Sequence, residues 1–401
     1  MLSSFFAAGR LGQQREEIAP MERLRVGLFT EIYRPVVNGV VASVETLAQG
    51  LQREGHEVFC FAPKMAGATG PESRIVRIPS LPLPGKTPYR LTLPLVSPRD
   101  VKRVIERLSV VHVHSPFITG WMGMRYARRY RVPLIYTYHT QLEAYAHYVP
   151  FEANATRFAA SQLTRRFANL ADAVIAPTPA MAVRLRELGV TVRVETVPSG
   201  IDVARFGAGK RREELRAQAG ARNGARLFLY VGRLAKEKNI EILFEAMARA
   251  QDPEVCLAIA GDGPLREELG RRARALGLES RIRFLGLIEQ DRLPDLYASA
   301  DAFVMPSVTE TQGIVQAEAL AAGLWVIAAD APQNRDVLGS AGVLVAAEPA
   351  AFAAALAGVP LQPDPRRVAE ARAAAARFSV EEQISRTLSL YESLMHPARI
   401  A

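Results

Sequence analysis

The sequence predicts an α/β protein of two domains, each a parallel sheet with helices packed on it, and three observations carry that prediction. Short apolar runs alternate with helical segments along most of the chain, the pattern of strands joined by crossover helices. Runs such as Leu227 to Val231, Val255 to Ala260 and Ala302 to Met305 end directly in glycine or proline, so the chain turns sharply at their carboxyl ends. The series pauses at Val197-Pro-Ser-Gly-Ile-Asp202 and then starts afresh, and 401 residues is the length of two domains.

Taken in order, the first half offers a strand at 24 to 30, a helix from about Val40 to Glu54, and strands Glu57 to Pro63, Val110 to His114 and Leu134 to Tyr138. Six prolines between Pro79 and Pro98 exclude a central strand or a regular helix there, so a long shaped loop is expected. The second half offers strands Leu227 to Val231, Val255 to Ala260, Ile282 to Leu285, Ala302 to Met305 and Leu324 to Ala328. Val380 to Met395 has apolar residues at helical spacing and is expected to pack back across the domains. The expected division is a tail at 1 to 20, disordered or a mis-assigned start, then domains at 21 to 200 and 201 to 378, with the closing helix in 379 to 401.

Composition narrows the class. With 49% apolar and 23% charged residues the chain is globular, and Cys60 and Cys256 alone support neither a disulfide framework nor a structural zinc. No apolar run approaches the roughly 18 residues of a membrane-spanning helix, and the first twenty residues lack the order of a signal peptide. Residues 1 to 200 hold 25 Lys and Arg against 15 Asp and Glu, while 201 to 401 hold 25 against 26, so the whole +9 excess lies in the first half. Its clusters, Arg99, Lys102, Arg103 and Arg107, then Arg125, Arg128, Arg129 and Arg131, then Arg157, Arg165 and Arg166, interleave with Trp121, Tyr126, Tyr130 and Phe167. That pattern fits an anionic membrane surface, where each basic residue contributes about 1 kcal/mol; a plain solvated arginine-rich surface fits equally. No base-reading motif accompanies the charge, so nucleic acid is not expected as a partner.

The residues that point to chemistry lie at strand ends. In Glu310-Thr-Gln-Gly-Ile-Val-Gln-Ala-Glu318 the first carboxylate falls in a loop and the second in the helix that follows, Gly313 to Ala322, closed by Gly323. Glu318 is the only charge between Thr311 and Ala329, and a carboxylate in so apolar a helix needs a hydrogen-bonding partner. A ligand can supply it; pairing with a core arginine, with Glu310 left solvated, is the alternative. Gly232-Arg233 and Lys238 follow another strand and place cations where a diphosphate could sit. Gly261-Asp262-Gly263 closes a third strand with a turn that lets backbone approach a ligand. It is neither a dinucleotide fingerprint nor a P-loop. In the first half, Asn38-Gly39 opens a helix whose start offers N–H groups to a phosphate. His139 follows a strand directly, whereas His112 and His114 alternate with valines and suit core positions.

In this order and spacing these residues resemble the retaining GT-B glycosyltransferases of family GT4, over nearly all of 22 to 395. The resemblance implies two Rossmann-like domains facing a central cleft, with the nucleotide sugar in the C-terminal one and the acceptor mainly in the N-terminal one. It implies that Arg233 and Lys238 neutralise the diphosphate, that Glu318 holds the ribose hydroxyls and that backbone near Leu287 holds the base. Glu310, with the N–H groups of Gly313, Ile314 and Val315, is expected on the donor sugar, His139 is expected to reach it from the other domain, and Gly39, Gly232, Gly261 and Asp262 are expected to line the site. Many members carry Phe where Gln312 stands. Thr-Glu-Thr-Gln-Gly, with Tyr138-His-Thr-Gln-Leu-Glu-Ala-Tyr-Ala-His147-Tyr, resembles the branch that glucosylates diacylglycerol, and a mannosyl branch acting on phosphatidylinositol is its neighbour.

The expected reaction is therefore transfer of a hexose, glucose from UDP-glucose, to diacylglycerol, by a protein lying on the inner face of the cell membrane. GDP-mannose with phosphatidylinositol, a polyprenol or a polysaccharide is the alternative. No DxD accompanies the donor site, so no metal or other cofactor is expected. Glycosidase logic would make Glu310 a nucleophile instead, and an epimerase of similar architecture would convert donor without any acceptor.

Overall fold

The computed structural model describes residues 22–65, 74–83, 90–94, 99–148, 152–221, 224–250, 252, 254–360 and 362–396; the expected tail at 1 to 20 lies outside them. The first half forms a seven-stranded parallel sheet from β1 (Arg25–Phe29), β2 (Glu57–Pro63), β3 (Ile75–Ile78), β6 (Val110–Val113), β7 (Leu134–Thr137), β8 (Ala173–Ala176) and β9 (Arg193–Thr196). The order across the sheet is β3-β2-β1-β6-β7-β8-β9. Its middle strands read as nearly unbroken apolar runs because both faces are covered. The helix Gly39–Arg53 and the terminal helix Val380–Met395 share one apolar core with one face. The helices Arg99–Ile105, Ile118–Tyr130, Ala153–Ala168 and Pro179–Glu187 share the core of the other.

The second half forms a six-stranded parallel sheet from β10 (Arg226–Val231), β11 (Val255–Ala260), β12 (Ile282–Gly286), β13 (Ala302–Met305), β14 (Trp325–Ala329) and β15 (Gly342–Val345), in the order β12-β11-β10-β13-β14-β15. The order reverses between β10 and β13, and in the first sheet between β1 and β6. Loops leaving such reversals diverge above and below the sheet and open a crevice at the strand carboxyl ends, where α/β proteins hold their ligands. Residues singled out above lie at both crevices: Asn38 and Gly39 in the first half, and Gly232, Arg233, Lys238, Glu310 and Gly313 in the second.

The terminal helix returns to the first half. Ser379 caps it, its Oγ accepting from Glu382 N at 3.1 Å, and Ile384 lies so close to Gly50 that a Cβ there would meet it at 2.5 Å. On the way the chain runs beside the outgoing linker, with Ile201 N donating to Phe378 O at 2.7 Å and Val380 N to Ile201 O at 3.2 Å.

Four strands, β3, β8, β9 and β15, are additions to the sequence reading. Each is four residues long, and β9, Arg-Val-Glu-Thr, is a charged edge strand with no apolar run to show it. The proline-bearing segment is corrected: it is not loop alone but carries an antiparallel pair, β4 (Ser80–Pro82) against β5 (Arg90–Thr92), apart from both main sheets. Pro82 is tolerated because a two-stranded ladder is all edge. Cys60 and Cys256 are both buried and form no disulfide with each other.

Candidate active site

β13 ends at Met305, Pro306 stops it, and the loop to Gln312 is held from several sides. Ser307 Oγ and Thr309 Oγ1 donate to Glu237 O at 3.3 and 3.1 Å. Gln333 Nε2 donates to Val308 O at 2.9 Å, and Asn334 Nδ2 to Ser307 O at 3.0 Å. Gly313 then stands at the helix N-cap with φ +77° and no side-chain cap, a backbone conformation that favours glycine. The helix runs Ile314–Ala322, one residue later than the sequence reading, and Gly323 closes it at φ +83°. A helix start with no capping side chain presents N–H groups to the crevice, and these favour an anion or a hydroxyl oxygen.

Lys238 and Glu310 come together at this start, with Nζ 2.5 Å from Oε1 and side chains only 16% and 14% exposed. Burial alone would lower the Lys238 pKa, but the Glu310 carboxylate beside it and the hydrogen bond between them raise it on balance, so the ammonium stays charged. Tyr145, from the 3₁₀ segment Leu142–Tyr148 of the first half, sits in the same field: burial pushes its phenol up to about 12, with Lys238 opposing and Glu310 adding. Arg233 belongs to the same electrostatic group, and its carbonyl accepts from Tyr230 OH at 3.1 Å.

Glu318 is half-buried one turn into the helix. Its Oε2 accepts from Tyr297 OH at 2.7 Å, so the partner is a phenol and not the core arginine considered above. Burial pushes the carboxyl up to about 7, while the Tyr297 hydrogen bond and the charge of Arg205 pull it down.

The glycines at the ends of β10 and β11 have a reason the sequence reading missed. A Cβ on Gly261 would lie 2.0 Å from Gly232 O, and one on Gly263 would lie 2.4 Å from Leu234 O. These glycines let two loops pack on each other, and Gly261 and Gly232 adopt φ +139° and +156°. Asp262 is exposed and turns inward on its own loop, accepting from Gly263 N at 2.8 Å. The Leu287 side chain is 70% exposed.

From the first half, Asn38 Oδ1 accepts from Val41 N at 2.9 Å and caps the helix Gly39–Arg53, while the position of a Gly39 Cβ is open, with nothing within 4 Å. His139 joins a row of imidazoles: its Nε2 is 2.9 Å from His114 Nδ1, and the His114 ring stacks on His112 at 4.4 Å. His112 lies between Tyr391 OH at 2.7 Å and Thr137 Oγ1 at 2.6 Å. Burial pushes His112 down to about 3 and His139 down to about 4, and burial with the neighbouring rings takes His114 well below its usual value. All three are neutral at pH 7. His112 and His114 occupy core positions as expected, but the link from His114 to His139 makes one of them a neighbour of the site.

The two halves meet on the same loop. Gln141 Nε2 donates to Glu310 O at 2.8 Å, Thr178 Oγ1 to Thr311 O at 3.1 Å, and Thr311 Oγ1 to His139 O at 2.9 Å. His139 of the first half is thus one hydrogen bond from the loop bearing Glu310. Sequence reasoning overlooked Tyr145, Tyr297, Gln141 and the buried amides Gln316, Gln333 and Asn334. The amides left a usable signal, because three carboxamides in so apolar a stretch must bond to something. Among the described residues, no group of three or more His, Cys, Asp or Glu is arranged to hold a metal ion.

The arrangement brings half-buried cations, two carboxylates and a bare helix start together where the two halves meet. Comparison with known proteins gives the family. The model of Glycosyltransferase Family 4 matches residues 37–205, and that of Glycosyl transferases group 1 matches 211–375. The chain is 32% identical to an alpha-monoglucosyldiacylglycerol synthase of Streptococcus pneumoniae, over 79% of this chain and 73% of that one. It is 35% identical to a GDP-mannose-dependent alpha-mannosyltransferase of Mycobacterium tuberculosis, over 79% and 81%. In fold it is similar to Anabaena HepE, crystallised with UDP-glucose, with TM-score 0.72 and 22% identity over 92% of this chain and 100% of that one. The chain therefore belongs to the GT4 family of glycosyltransferases and has the two-domain GT-B fold.

Proposed function

We propose that this glycosyltransferase moves glucose from UDP-glucose to the free hydroxyl of diacylglycerol at a membrane surface, keeping the α configuration. The observation that carries the reading is the Lys238–Glu310 pair at the meeting of the two halves, beside the uncapped start of the helix Ile314–Ala322 and one hydrogen bond from the His139 segment. Relatives named alpha-monoglucosyldiacylglycerol synthase support the sugar and the acceptor.

In this reading the bond from the sugar's anomeric carbon to the β-phosphate oxygen breaks. Positive charge grows on the sugar and negative charge on the diphosphate, which Arg233 and Lys238 stabilise directly. An ammonium has three N–H groups, so Lys238 can serve the diphosphate without leaving Glu310. The acceptor oxygen attacks on the face the diphosphate is leaving, and its proton passes to the departing phosphate. Glu310 and the N–H groups of Gly313, Ile314 and Val315 hold the sugar, and Glu318 the ribose. The neutral imidazole of His139 bonds the sugar from the other side, and backbone near Leu287 takes the base. The cations do the work of a metal, so none is needed.

The membrane part of the reading rests on one face. Lys102, Arg103, Arg107, Arg125, Arg128, Arg129, Arg131, Arg157, Arg165 and Arg166 are exposed, on or beside three helices that share one side of the first sheet. Thr92 of the small ladder and Thr119 of the helix Ile118–Tyr130 both donate to the Glu31 carboxylate. Flanking them, Leu81, Leu91, Phe117 and Trp121 remain exposed. Apolar residues among cations suit an anionic bilayer from its cytoplasmic side, and no described helix is long and apolar enough to cross one.

The competing reading, mannosyl transfer from GDP-mannose to phosphatidylinositol or another carrier, is favoured by the 35% identity to a mannosyltransferase. Incubation with diacylglycerol in anionic mixed micelles and, separately, UDP-glucose, UDP-galactose or GDP-mannose decides between them by product mass. A hexosyl diacylglycerol from UDP-glucose is expected. Turnover of GDP-mannose alone, or of donor with no lipid product, overturns the proposed donor or acceptor.

A further inference from the structure

Gln312 is 2% exposed and makes a two-point bond with the backbone of a single residue: Ser199 N donates to its Oε1 at 2.7 Å, and its Nε2 donates to Ser199 O at 3.0 Å. Ser199 lies in the linker between the last strand of the first sheet and the second half. It is gripped from the first half as well, its Oγ standing 2.9 Å from Ser43 Oγ in the helix Gly39–Arg53. Gly200 N donates to Gln383 Oε1 of the terminal helix at 3.0 Å, and a Cβ on Gly200 would lie 2.8 Å from both Gln383 Oε1 and Val380 Cα. Ser43, Ser199, Gln312 and Gln383 are all at least nine-tenths buried. The residue between Glu310 and the helix start thus holds the linker, and the linker holds the helix that begins at Asn38-Gly39.

We propose that Gln312 is a positioning residue that couples closure of the two halves to placement of the donor loop. The linker cannot swing away from the second half without uncovering the N–H and C=O of Ser199, so opening breaks two buried hydrogen bonds at once. The same movement releases Thr311, one residue away, from His139 and Thr178. Gln312 acts on the reaction through the loop and touches no reacting atom. The kinetic part of this inference rests on the donor reading above; the coupling itself does not.

Gln312→Met keeps the length and removes both hydrogen bonds, and Ser43→Ala loosens the linker from the first half alone, leaving the two Gln312–Ser199 bonds in place. Amide exchange across residues 197 to 202 and small-angle scattering are read on the protein without substrate. Turnover is read with whichever of UDP-glucose, UDP-galactose or GDP-mannose the wild type consumes. For Gln312→Met the expected result is exchange at Ser199 faster by about tenfold or more, as loss of two buried hydrogen bonds dictates, and a larger radius of gyration. It includes a kcat lower by about tenfold with donor KM within about threefold, the mark of an interaction that serves the transition state. Ser43→Ala shifts the same quantities in the same direction by less. Faster exchange with unchanged kcat would make the bond a packing contact and overturn the proposal, as would unchanged exchange. Equal losses in KM and kcat would place Gln312 in the donor site itself, which also overturns it. If the wild type consumes none of the three donors, the donor reading fails, and exchange with scattering still decides the coupling.

Discussion

Glu318 ties the stability of the fold to the proposed donor site. Its carboxyl is held near pH 7 instead of 4.5 because it is buried with one phenol for a partner. Between these values the folded chain keeps a proton that the unfolded chain has lost. The stabilisation from that proton is fully present below pH 4.5 and is lost as pH rises through 7. A gap of roughly 2.5 pH units at about 1.4 kcal/mol each gives about 3 kcal/mol, a ceiling because the open edge of the carboxylate meets solvent. Glu318→Gln keeps the size and removes the ionisation. Thermal unfolding of wild type and variant should coincide most closely near pH 5 and separate toward pH 8.5. The variant becomes the more stable there, by up to about 6–12 °C for a domain of this size. If Glu318 takes the ribose as proposed, UDP should stabilise the wild type more than the variant at pH 8.5, since the ionised carboxylate then gains hydroxyl partners that it lacks in the free protein. Parallel curves across the pH range, or equal stabilisation of both proteins by UDP, would refute the reasoning.

Further outcomes follow from the same geometry. Arg233→Ala and Lys238→Ala should each lower turnover by about a hundredfold or more, the scale of losing a charge that stabilises the transition state, with unfolding temperatures shifted far less; near-normal turnover in both would remove the cations from the mechanism. His112 ionises near 3 in the fold and near 6.5 unfolded, so its stabilising contribution is present above pH 6.5 and is lost progressively below it, by about 2 kcal/mol at pH 5. Urea unfolding of His112→Asn should show a smaller loss between pH 7.5 and 5 than the wild type. Replacing Arg125, Arg128 and Arg129 with Ala should weaken flotation with anionic vesicles by a hundredfold or so, at about 1 kcal/mol for each lost charge, and leave UDP affinity unchanged. Binding unaltered by the triple change would take the membrane away from that face.

The architecture was legible because parallel strands covered on both faces must be apolar throughout. Val255–Ala260 and Ala302–Met305 could therefore be bounded to the residue, and so could the terminal helix from its periodicity. Strands such as Arg193–Thr196 were not legible, since an edge position half open to solvent needs no apolar run and the strand forms by pairing with Ala173–Ala176. For the candidate site, the spacing of Glu310 and Glu318 and the glycine at the helix start could be read directly. Their partners could not: Tyr297, Lys238 and His114 lie 21, 72 and 25 positions from the residues they touch, and only folding brings them together. The turn glycines carry a packing role that the sequence did not show. A sequence shows that a Cβ is excluded at Gly261, but not whether a ligand or, as here, the carbonyl of Gly232 excludes it.

The central claim is that the leaving diphosphate is stabilised by Arg233 and Lys238 while the acceptor attacks from the same face. The most direct test is the anomeric configuration of the first-formed product, read by proton NMR as wild-type protein consumes an α-configured nucleotide sugar in the presence of diacylglycerol micelles. An α-glycosyl lipid, formed without a trappable sugar bound to Glu310, is the predicted result. A β-glycosyl product, or a sugar covalently held on Glu310, would contradict the account.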